Sequence, residues 1–495
     1  MNTFSEVDLS LDIQSNVDYP VTINILGNPF NPLDTTNAKT EYRWNLTSFT
    51  FTTETQVSVQ YRPNPNTTFF TFTQDLPEQT LQAVVSALNL LGIGFFNLYT
   101  ELGQTYIGTY NDNYTFGDLN IFPTGSTSIL NPVFVPSFGA GGGAFVQAVK
   151  VQPDGNILFG GNFTQYNATT YNRIIRLQPD GSVDATFVIG TGFSGGFVSS
   201  IDVQSDGKIL CVGSFTSYNG TACNKIVRLN SDGSIDGTFV YGTGFTNFVG
   251  ISAVFDVKVL ASGKIMVLGG MTDYNGTPIN GICRLNSNGS LDGTFSTGGV
   301  TGGEYCEAVA EQVDGKYVVV GNFAVFNGVS KNGIVRLNTN GTIDGTFGGT
   351  GFSLGVVGTV DVDLQSDGKI VCSGSFSTYN GTSSPNFVRI NTNGSIDSTF
   401  VVGAGFDDTT NNAVILSSGK IIVGGLFTTY QSSSYNRIIR LNSDGSIDTT
   451  WNVDTGFDNT VTQISVNTAE TLIYLTGSFT SFQGTARLRA CSLIL

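Results

Sequence analysis

A short glycine-centred pattern returns seven times in this chain of 495 residues and limits the folds open to it. Val-Gly-Ser-Phe-Thr-Ser-Tyr-Asn-Gly at 212–220 has a close counterpart in Ser-Gly-Ser-Phe-Ser-Thr-Tyr-Asn-Gly at 373–381. The glycine of the pattern recurs every 51 to 56 residues, at Gly161, Gly213, Gly269, Gly321, Gly374, Gly425 and Gly477. Repetition at such a period is typical of folds that build one supersecondary unit many times.

One repeat, taken from residue 198 to residue 239, divides into four short β-segments. Its apolar runs lie at 198–204, 208–215, 225–229 and 234–239. Ser-Asp-Gly turns at 205–207 and 231–233 separate the first pair and the last pair, with glycine at the left-handed position. Four strands in about 50 residues, repeated, predict the blade of a β-propeller.

The two ends of the array favour a closed ring over an open β-solenoid. Residues 130–134 align with the fourth segment at 235–239, whereas the seventh repeat stops after its third segment. We therefore expect a mainly β fold: a seven-bladed propeller of four-stranded blades over 129–495. Residues 129–143 serve as linker and as the closing strand, which removes a free sheet edge. An open solenoid would instead carry atypical capping repeats at both ends.

An arginine and an aspartate recur eight residues apart across the predicted turn between the third and fourth segments. This spacing places the two side chains opposite each other in a hairpin and predicts cross-strand ion pairs. An arginine ring that binds an anion is the less favoured interpretation, because each arginine already has a partner. At the expected seam the two positions hold Ser492 and Asn131. The predicted structural pairs are Arg176/Asp184, Arg228/Asp236, Arg284/Asp292, Arg336/Asp344, Arg389/Asp397 and Arg440/Asp448.

These motifs resemble the delta-60 repeat family of β-propellers. The resemblance is carried by Gln-Ser-Asp-Gly-Lys-Ile at 204–209, Gly-Ser-Phe at 213–215 and Arg-Leu-Asn-Ser-Asp-Gly-Ser-Ile-Asp-Gly-Thr-Phe at 228–239. It covers about residues 144–495, and the seventh repeat departs from it with Thr-Ala-Glu-Thr at 468–471. The resemblance implies a propeller and no defined reaction, so it transfers no catalytic residues.

Residues 1–128 lack the repeat and are expected to form a smaller β-rich anchoring domain. Thr-, Phe- and Tyr-rich runs at 20–26, 43–61, 67–73 and 104–116 predict strands. One helix is expected over about 76–91, capped by Asp75 with Glu78 in the capping-box position. Its apolar stripe is typical of core packing, with a contact to a partner subunit as the alternative. The region carries three cations against twelve carboxylates.

Composition narrows the function classes further. The chain has no histidine, which excludes Ser-His and Cys-His nucleophile systems and His-ligated metal sites. A formal charge of −16 argues against a nucleic-acid surface. The acidic N-terminus is unlike a secretion signal, and no apolar run fits a membrane span. The six cysteines fall at small apolar positions, so we expect buried thiols rather than disulfides.

Acidic residues that break the repeat pattern are the candidate ligand-binding groups. Glu304, Glu307 and Glu311 cluster near the first segment of the fourth repeat, and Asp256 and Asp361 share one first-segment position. They are expected to line the channel and attract a cation or a sugar. Two converging acids would also suit a glycosidase or lyase, a minority hypothesis. The Asn-Ser-Asp-Gly stretch at 230–233 and the Asn-Gly-Thr triplets are interpreted as turns rather than calcium loops or glycosylation sites.

We therefore expect a non-enzymatic structural or attachment protein of a virus particle, with a bacteriophage as the favoured source, without cofactor or metal. Its N-terminal domain would contact other virion proteins, and its propeller would face outward in many copies toward a host-surface glycan or protein. The alternative is a bacterial cell-surface or secreted carbohydrate-binding propeller. Neither hypothesis includes nucleic-acid binding or membrane insertion.

Overall fold

The computed structural model describes residues 129–131, 133–139, 145–247, 253–296, 298–300, 303–353 and 361–495, and the backbone of six earlier strands. The chain divides into two compact units, Met1–Ser128 and Ile129–Leu495. In the first unit the six strands form three antiparallel pairs. These pairs are Val7–Asp12 with Gln56–Tyr61, Asn24–Gly27 with Trp44–Thr47, and Phe96–Glu101 with Gln104–Thr109. The predicted helix at 76–91 lies outside the described residues.

The second unit is built from propeller-like repeats of three-stranded antiparallel sheets, which we number 1 to 7 along the chain. In each sheet the second strand lies between the first and the third. Their strands, in order, are Val146–Val151, Ile157–Gly161 and Ile174–Leu177; Val198–Val203, Ile209–Gly213 and Ile226–Leu229; Val254–Val259, Ile265–Gly269 and Ile282–Leu285; Tyr305–Glu311, Tyr317–Asn322 and Ile334–Leu337; Asp361–Leu364, Ile370–Ser373 and Phe387–Ile390; Thr410–Ile415, Ile421–Gly425 and Ile438–Leu441; and Val461–Val466, Leu472–Gly477 and Ala490–Ile494. Within the described residues there is no helix.

Tight turns and apolar alternation explain why each repeat folds this way. Gly207 and Gly233 adopt φ angles of +81° and +88°, which only glycine tolerates readily. The second strands are apolar on both faces and buried, because each sheet packs between two neighbours. A one-residue slip would move these side chains off their packing partners, so the pattern also fixes the register.

A small hairpin follows each second strand, where the sequence suggested only a connection. In sheet 2 its turn residues Asn219 and Gly220 have φ angles of +45° and +76°, the combination that a tight two-residue hairpin requires. The hairpin strands are Gln165–Tyr166/Thr169–Thr170, Ser217–Tyr218/Thr221–Ala222, Met271–Tyr274/Thr277–Pro278, Val325–Phe326/Val329–Ser330, Thr378–Tyr379/Thr382–Ser383, Thr429–Tyr430/Ser433–Ser434 and Ser481–Phe482/Thr485–Ala486. Phe138–Gly139, Phe193–Ser194 and Phe245–Asn247 add a third strand to the first three hairpins.

The predicted fourth segment is shorter than a strand. In sheet 2 it makes one antiparallel bridge, between Leu229 and Ile235. The next residue, Asp236, then accepts hydrogen bonds from the amide and hydroxyl of Thr238 and turns the chain away. Such side-chain-to-backbone bonds compete with strand pairing and explain the early end.

The first strands of successive sheets contact one another, and the first strand of sheet 7 contacts that of sheet 1. Residues 129–131 run beside the third strand of sheet 7. Leu130 bridges to Leu493, and the amide of Asn131 donates to the carbonyl oxygen of Ser492 at 2.8 Å. Phe134 is fully buried and packs on Tyr474 of sheet 7 and Phe159 of sheet 1. The segment therefore lies between the last sheet and the first.

Burial is extensive in this unit, and the six cysteines share in it. All six are buried and none is in a disulfide. Burial raises the pKa of the Cys223 and Cys491 thiols to about 12, which makes them poor nucleophiles. In the described part of the chain we find no helix with the length and hydropathy needed to cross a membrane.

Candidate functional site

Two rows of side chains follow the first strands of the seven sheets, and we call them the axial rows. Alternate residues of a strand point to the same face, so positions two apart belong together. The first row is Ala148, Ser200, Asp256, Ala308, Asp361, Asn412 and Gln463, each paired in register with the residue before the repeat glycine. The second row, two residues further on, is Lys150, Asp202, Lys258, Ala310, Asp363, Val414 and Ser465.

Polar members of these rows join each first strand to the next. Gln463 and Ser465 of sheet 7 accept hydrogen bonds from the amides of Val149 and Val151 of sheet 1, at 2.8 and 3.1 Å. Asp202 accepts from the amide of Val259 at 2.7 Å. A first strand is the edge of its sheet, so its outward N–H groups need acceptors from elsewhere. The side chains supply these acceptors.

Further links include contacts between two side chains. Asn412 accepts from the amide of Ile464 at 2.9 Å and donates to Asp361 at 2.8 Å. Lys150 forms an ion pair with Asp202 at 2.7 Å. The axial rows are thus bonded from sheet to sheet.

Most charged members of the axial rows lie on sheets 2, 3 and 5, near sheet 4, which contributes only Ala308 and Ala310. Lys258 interacts electrostatically with four carboxylates, those of Asp202, Asp256, Asp363 and Asp361. Desolvation by the surrounding protein lowers the pKa of Lys258, but the four carboxylates outweigh this effect and raise the pKa above its ordinary value. The lysine therefore stays protonated and compensates part of the negative charge.

Asp361 is one of three axial carboxyls whose pKa is raised. Burial, and next the charge of Asp363, raise its pKa to about 6, against hydrogen bonds from the amides of Ala413 and Val362. Burial also raises the pKa of Asp256 and of Asp363. The hydroxyl of Ser373, the cross-strand neighbour of Asp361, is buried without a hydrogen-bond partner. Asp361 therefore changes charge near pH 6.

The structure does not gather the five predicted acids into one site. Asp256 and Asp361 hold equivalent axial positions, on sheets 3 and 5. Asp256 accepts from the hydroxyl of Ser200 at 2.9 Å, so both aspartates are bonded to a neighbouring sheet. Among the described residues, no group of three or more acidic or cysteine side chains is arranged to hold a metal ion.

The three predicted glutamates are spread along the first strand of sheet 4. Glu304, which precedes the strand, accepts from the amide of Ala324 at 2.8 Å. Glu311, its last residue, accepts from the amide of Ala261 in the turn of sheet 3 at 2.7 Å. Glu307 lies between them at the β-bulge. Glu304 and Glu311 therefore stabilise loops at opposite ends of the strand.

Each arginine of the six predicted pairs donates from Nε to its aspartate, at 2.6 to 2.8 Å. Arg228 also donates to the hydroxyl of Thr238 and to the carbonyl of Ser287 in sheet 3, and its guanidinium lies 4.7 Å from the Phe239 ring centroid. Burial works against ionisation of Asp236, but hydrogen bonds from Thr238, Lys208 and Arg228 hold its pKa well below the usual range. The network stabilises the joint between two sheets.

Sequence reasoning missed Lys150, Asp202, Lys258 and Asp363. The available signal was the two-residue period of the first strands, which places Asp202 on the face of Ser200 and Asp363 on that of Asp361. The contacts of these residues depend on the neighbouring sheet, and local sequence does not specify that neighbour.

Six segments of the chain match the family described as "Domain of unknown function (DUF5122) beta-propeller". They are 152–187, 204–239, 260–295, 312–347, 365–400 and 416–450. Each begins just after a first strand; the first five end at the aromatic residue of the fourth segment, and the sixth ends one residue before it. The match confirms that the repeats are β-propeller repeats.

Solved structures to which the chain is distantly similar include a chain of the mitotic checkpoint complex, at 12% identity and a TM-score of 0.48 over 79% of this chain and 99% of that one. A catalytically inactive virginiamycin B lyase from Staphylococcus aureus with quinupristin has 15% identity and a TM-score of 0.42, over 73% and 98%. A gluconolactonase from Xanthomonas campestris has 11% identity and a TM-score of 0.33, over 76% and 99%. Likenesses this distant carry no argument about activity. Among curated proteins, none matches the chain.

Proposed function

We propose that the chain is a non-enzymatic attachment protein of a virus particle. Residues 129–495 form a closed seven-bladed propeller of delta-60 type, in which the short fourth segment completes each blade. Residues 1–128 anchor the propeller to the particle. The cycle of contacts between first strands, from sheet 7 back to sheet 1, supports ring closure.

The observation that carries the non-enzymatic assignment is that the charged groups of the ring form hydrogen bonds and ion pairs within the protein. The recurrent arginines bond to the aspartates of their own repeat and, as Arg176 and Arg284 do, to a backbone carbonyl of the next repeat. The acids that break the repeat also bond to neighbouring strands or turns, as Asp361, Glu304 and Glu311 do. A catalytic acid needs a proton or a lone pair directed at a substrate, whereas these groups stabilise a rigid scaffold. A rigid scaffold in many copies suits attachment, because weak single contacts then add up.

Locating the protein tests this proposal most directly. Mass spectrometry and cryo-electron microscopy of purified particles should find the chain in many copies, with its seven-fold ring outside the particle surface. Particles that lack the chain would overturn the virion assignment. Its recovery from bacterial surfaces instead would favour the cell-surface carbohydrate-binding alternative.

Enzymatic activity is tested separately on the full chain. The unmodified chain should show no measurable hydrolysis or elimination of host-surface polysaccharides. Asp256→Asn and Asp361→Asn should therefore change nothing in this assay. A turnover in the unmodified chain that either substitution abolishes would overturn the non-enzymatic assignment.

A further inference from the structure

A cleft of about 730 Å³ opens where turns of sheets 5, 6 and 7 come together. The turn between the first two strands of sheet 5 contributes Ser366, Asp367 and Lys369. Sheet 6 contributes Ser417 from its corresponding turn and Asp444 from the turn after its third strand. The volume lies within the range of ordinary small-molecule sites. We call this space the turn cleft.

A glutamate of sheet 7 also lines the turn cleft. Glu470 occupies the left-handed turn position that glycine holds in the six other sheets, with a φ of +50°. Its carboxylate accepts hydrogen bonds from the amide and the hydroxyl of Ser417, at 2.7 and 2.6 Å. A glutamate at this φ is less favourable than glycine, so the turn itself does not require it. The side chain links sheet 7 to sheet 6 beside the cleft.

The cations of the turn cleft are engaged within the protein. The buried guanidinium of Arg389 and the ammonium of Lys369 both pair with Asp397, at 2.8 and 3.2 Å. Arg389 also donates to the side chain of Gln365 at 3.0 Å and to the carbonyl oxygen of Ser443. Each cation is therefore already paired with a carboxylate, and an anionic ligand would gain little from it.

The rim of the turn cleft is rich in hydrogen-bond acceptors. Asp367 and Asp444 are exposed carboxylates, and the exposed hydroxyl of Ser366 also lines the cleft. A carboxylate only accepts hydrogen bonds, whereas a hydroxyl can accept and donate. The half-buried aliphatic side chains of Leu364 and Ile415 add an apolar surface. Acceptors around an aliphatic surface suit a ligand that carries both hydroxyl and C–H groups.

We propose that the turn cleft binds an uncharged glycan, a chain of sugars without carboxylate, phosphate or sulfate groups. Its hydroxyls donate to the carboxylates of Asp367 and Asp444, and its C–H groups lie against the aliphatic surface. An acidic sugar is disfavoured, because it would bring a further negative charge close to these carboxylates. The inference rests on the proposed attachment function and names the class of receptor.

The joint between sheets 2 and 3 offers a matched comparison within the chain. Residues 204–209 of sheet 2 have the same sequence as the turn of sheet 5. Ala261 and Asn288 stand where the turn cleft has Ser417 and Asp444. This joint therefore lacks the serine hydroxyl and one of the two carboxylates, and we expect it to bind the glycan weakly or not at all.

The first test places the full chain on an array of uncharged oligosaccharides of hexoses, deoxyhexoses and N-acetylhexosamines, together with sialylated and sulfated glycans. The unmodified chain should bind uncharged probes and bind them more tightly than the charged ones. Failure to bind any uncharged probe, or a preference for the charged ones, would overturn the inference. Competition by a lysine-rich peptide but not by free uncharged sugars would reject a glycan in favour of a basic peptide.

Asp444→Asn tests the location of the site without disturbing the turn. Asn288 accepts from the amide and hydroxyl of Ser290 just as Asp444 accepts from those of Ser446, so asparagine fits this turn. The variant should bind the best uncharged probe about tenfold more weakly, because a hydrogen bond to a charged acceptor is lost. Asp232→Asn, the same change in sheet 2, should leave binding unchanged. Equal effects of the two substitutions would contradict a site in the turn cleft.

A gain of binding makes the test independent of any loss of folding. Glu311 already accepts from the amide of Ala261 as Glu470 accepts from that of Ser417. Ala261→Ser combined with Asn288→Asp should therefore raise the stoichiometry in isothermal titration from one glycan per chain to two. An unchanged stoichiometry would contradict the roles given to the serine and the aspartate. Particles that contain the chain without glycan binding would reject only this inference, and the reverse result only the proposed function.

Discussion

Two basic positions lie three residues apart at the third strand and have opposite surroundings. Arg228 is fully enclosed by Asp236, Thr238, Phe239 and the next sheet. Lys225 is half-buried and contacts one carbonyl oxygen. The same contrast separates Arg440 from Arg437. The first position holds a buried ion pair at the joint between two sheets, and the second is joined to the next sheet by a single hydrogen bond. Neighbouring residues of the repeat therefore contribute unequally to stability.

The largest expected effect comes from breaking the enclosed position. Arg228→Ala leaves the buried carboxylate of Asp236 without its main partner and should cost about 3–5 kcal/mol of unfolding free energy. Lys225→Ala is the matched control and should cost about 1 kcal/mol. Urea unfolding of both variants measures the difference. Similar losses would contradict the division between the two positions.

At the seam between sheets 7 and 1 the ion-paired arginine position is replaced, whereas the basic position three residues earlier is kept. Ser492 and Asn131 replace the ion pair, and the ring of Tyr474 packs edge-on against Phe134 at 5.2 Å, where Arg228 elsewhere stacks on Phe239. Phe134→Ala should therefore destabilise the ring by about 3–4 kcal/mol, as expected for a large cavity. It should also expose residues 129–143 to limited proteolysis, whereas Phe239→Ala should not. An unaltered cleavage pattern would argue against ring closure through this segment.

A pH titration sharpens the comparison between the paired carboxyls and the axial ones. Asp236 has a lowered pKa, so its contribution to stability is present above the ordinary pKa of an aspartate and is lost as the pH falls. Asp361 has a pKa raised to about 6, so the folded state favours its protonated form. Its contribution is present at low pH and is lost as the pH rises through 6.

Asp361→Asn should accordingly raise the melting temperature by a few degrees at pH 8. The gain should vanish at pH 4, where the carboxyl of the unmodified chain is protonated in the folded state. Asp236→Asn should behave in the opposite way and lower the melting temperature most at pH 8. Differential scanning calorimetry of both variants across this range decides the signs.

Local pattern explains what the sequence predicted correctly and what it missed. The turn glycines and the eight-residue Arg–Asp spacing are properties of one hairpin, so they can be deduced from a single repeat. The axial links of Asp202 and Gln463 join different sheets, so they depend on how neighbouring sheets are placed. The Asn219–Gly220 hairpin was overlooked because its two-residue strands are too short to show alternation. The predicted fourth strand was too long because Asp236 bonds to Thr238 rather than extending the bridge.

The smallest predicted effect lies at the exposed end of the charge network. In sheets 2, 4 and 5 the turn lysine approaches a turn aspartate as well as the buried one; Lys208 lies 3.9 Å from Asp206 and 3.0 Å from Asp236. In sheet 3 the turn residue is Ser262, and Lys264 approaches Asp292 more closely, at 2.6 Å. Glu311 of the next sheet binds the adjacent amide of Ala261. In sheet 3 the carboxylate beside this turn therefore belongs to the neighbouring sheet and not to the turn itself.

Ser262→Asp should therefore bring little benefit on its own, because the new carboxylate lies beside Glu311. Combined with Glu311→Gln, it should gain about 0.5 kcal/mol relative to Glu311→Gln alone, the usual scale of an exposed ion pair. Thermal unfolding of the two single variants and the double variant forms a cycle that isolates this coupling. Strict additivity would mean that the serine in this turn is unrelated to the neighbouring glutamate. A positive coupling would show that an exposed carboxylate can be placed either in the turn or on the neighbouring sheet at little cost in stability, unlike the buried partner of Arg228.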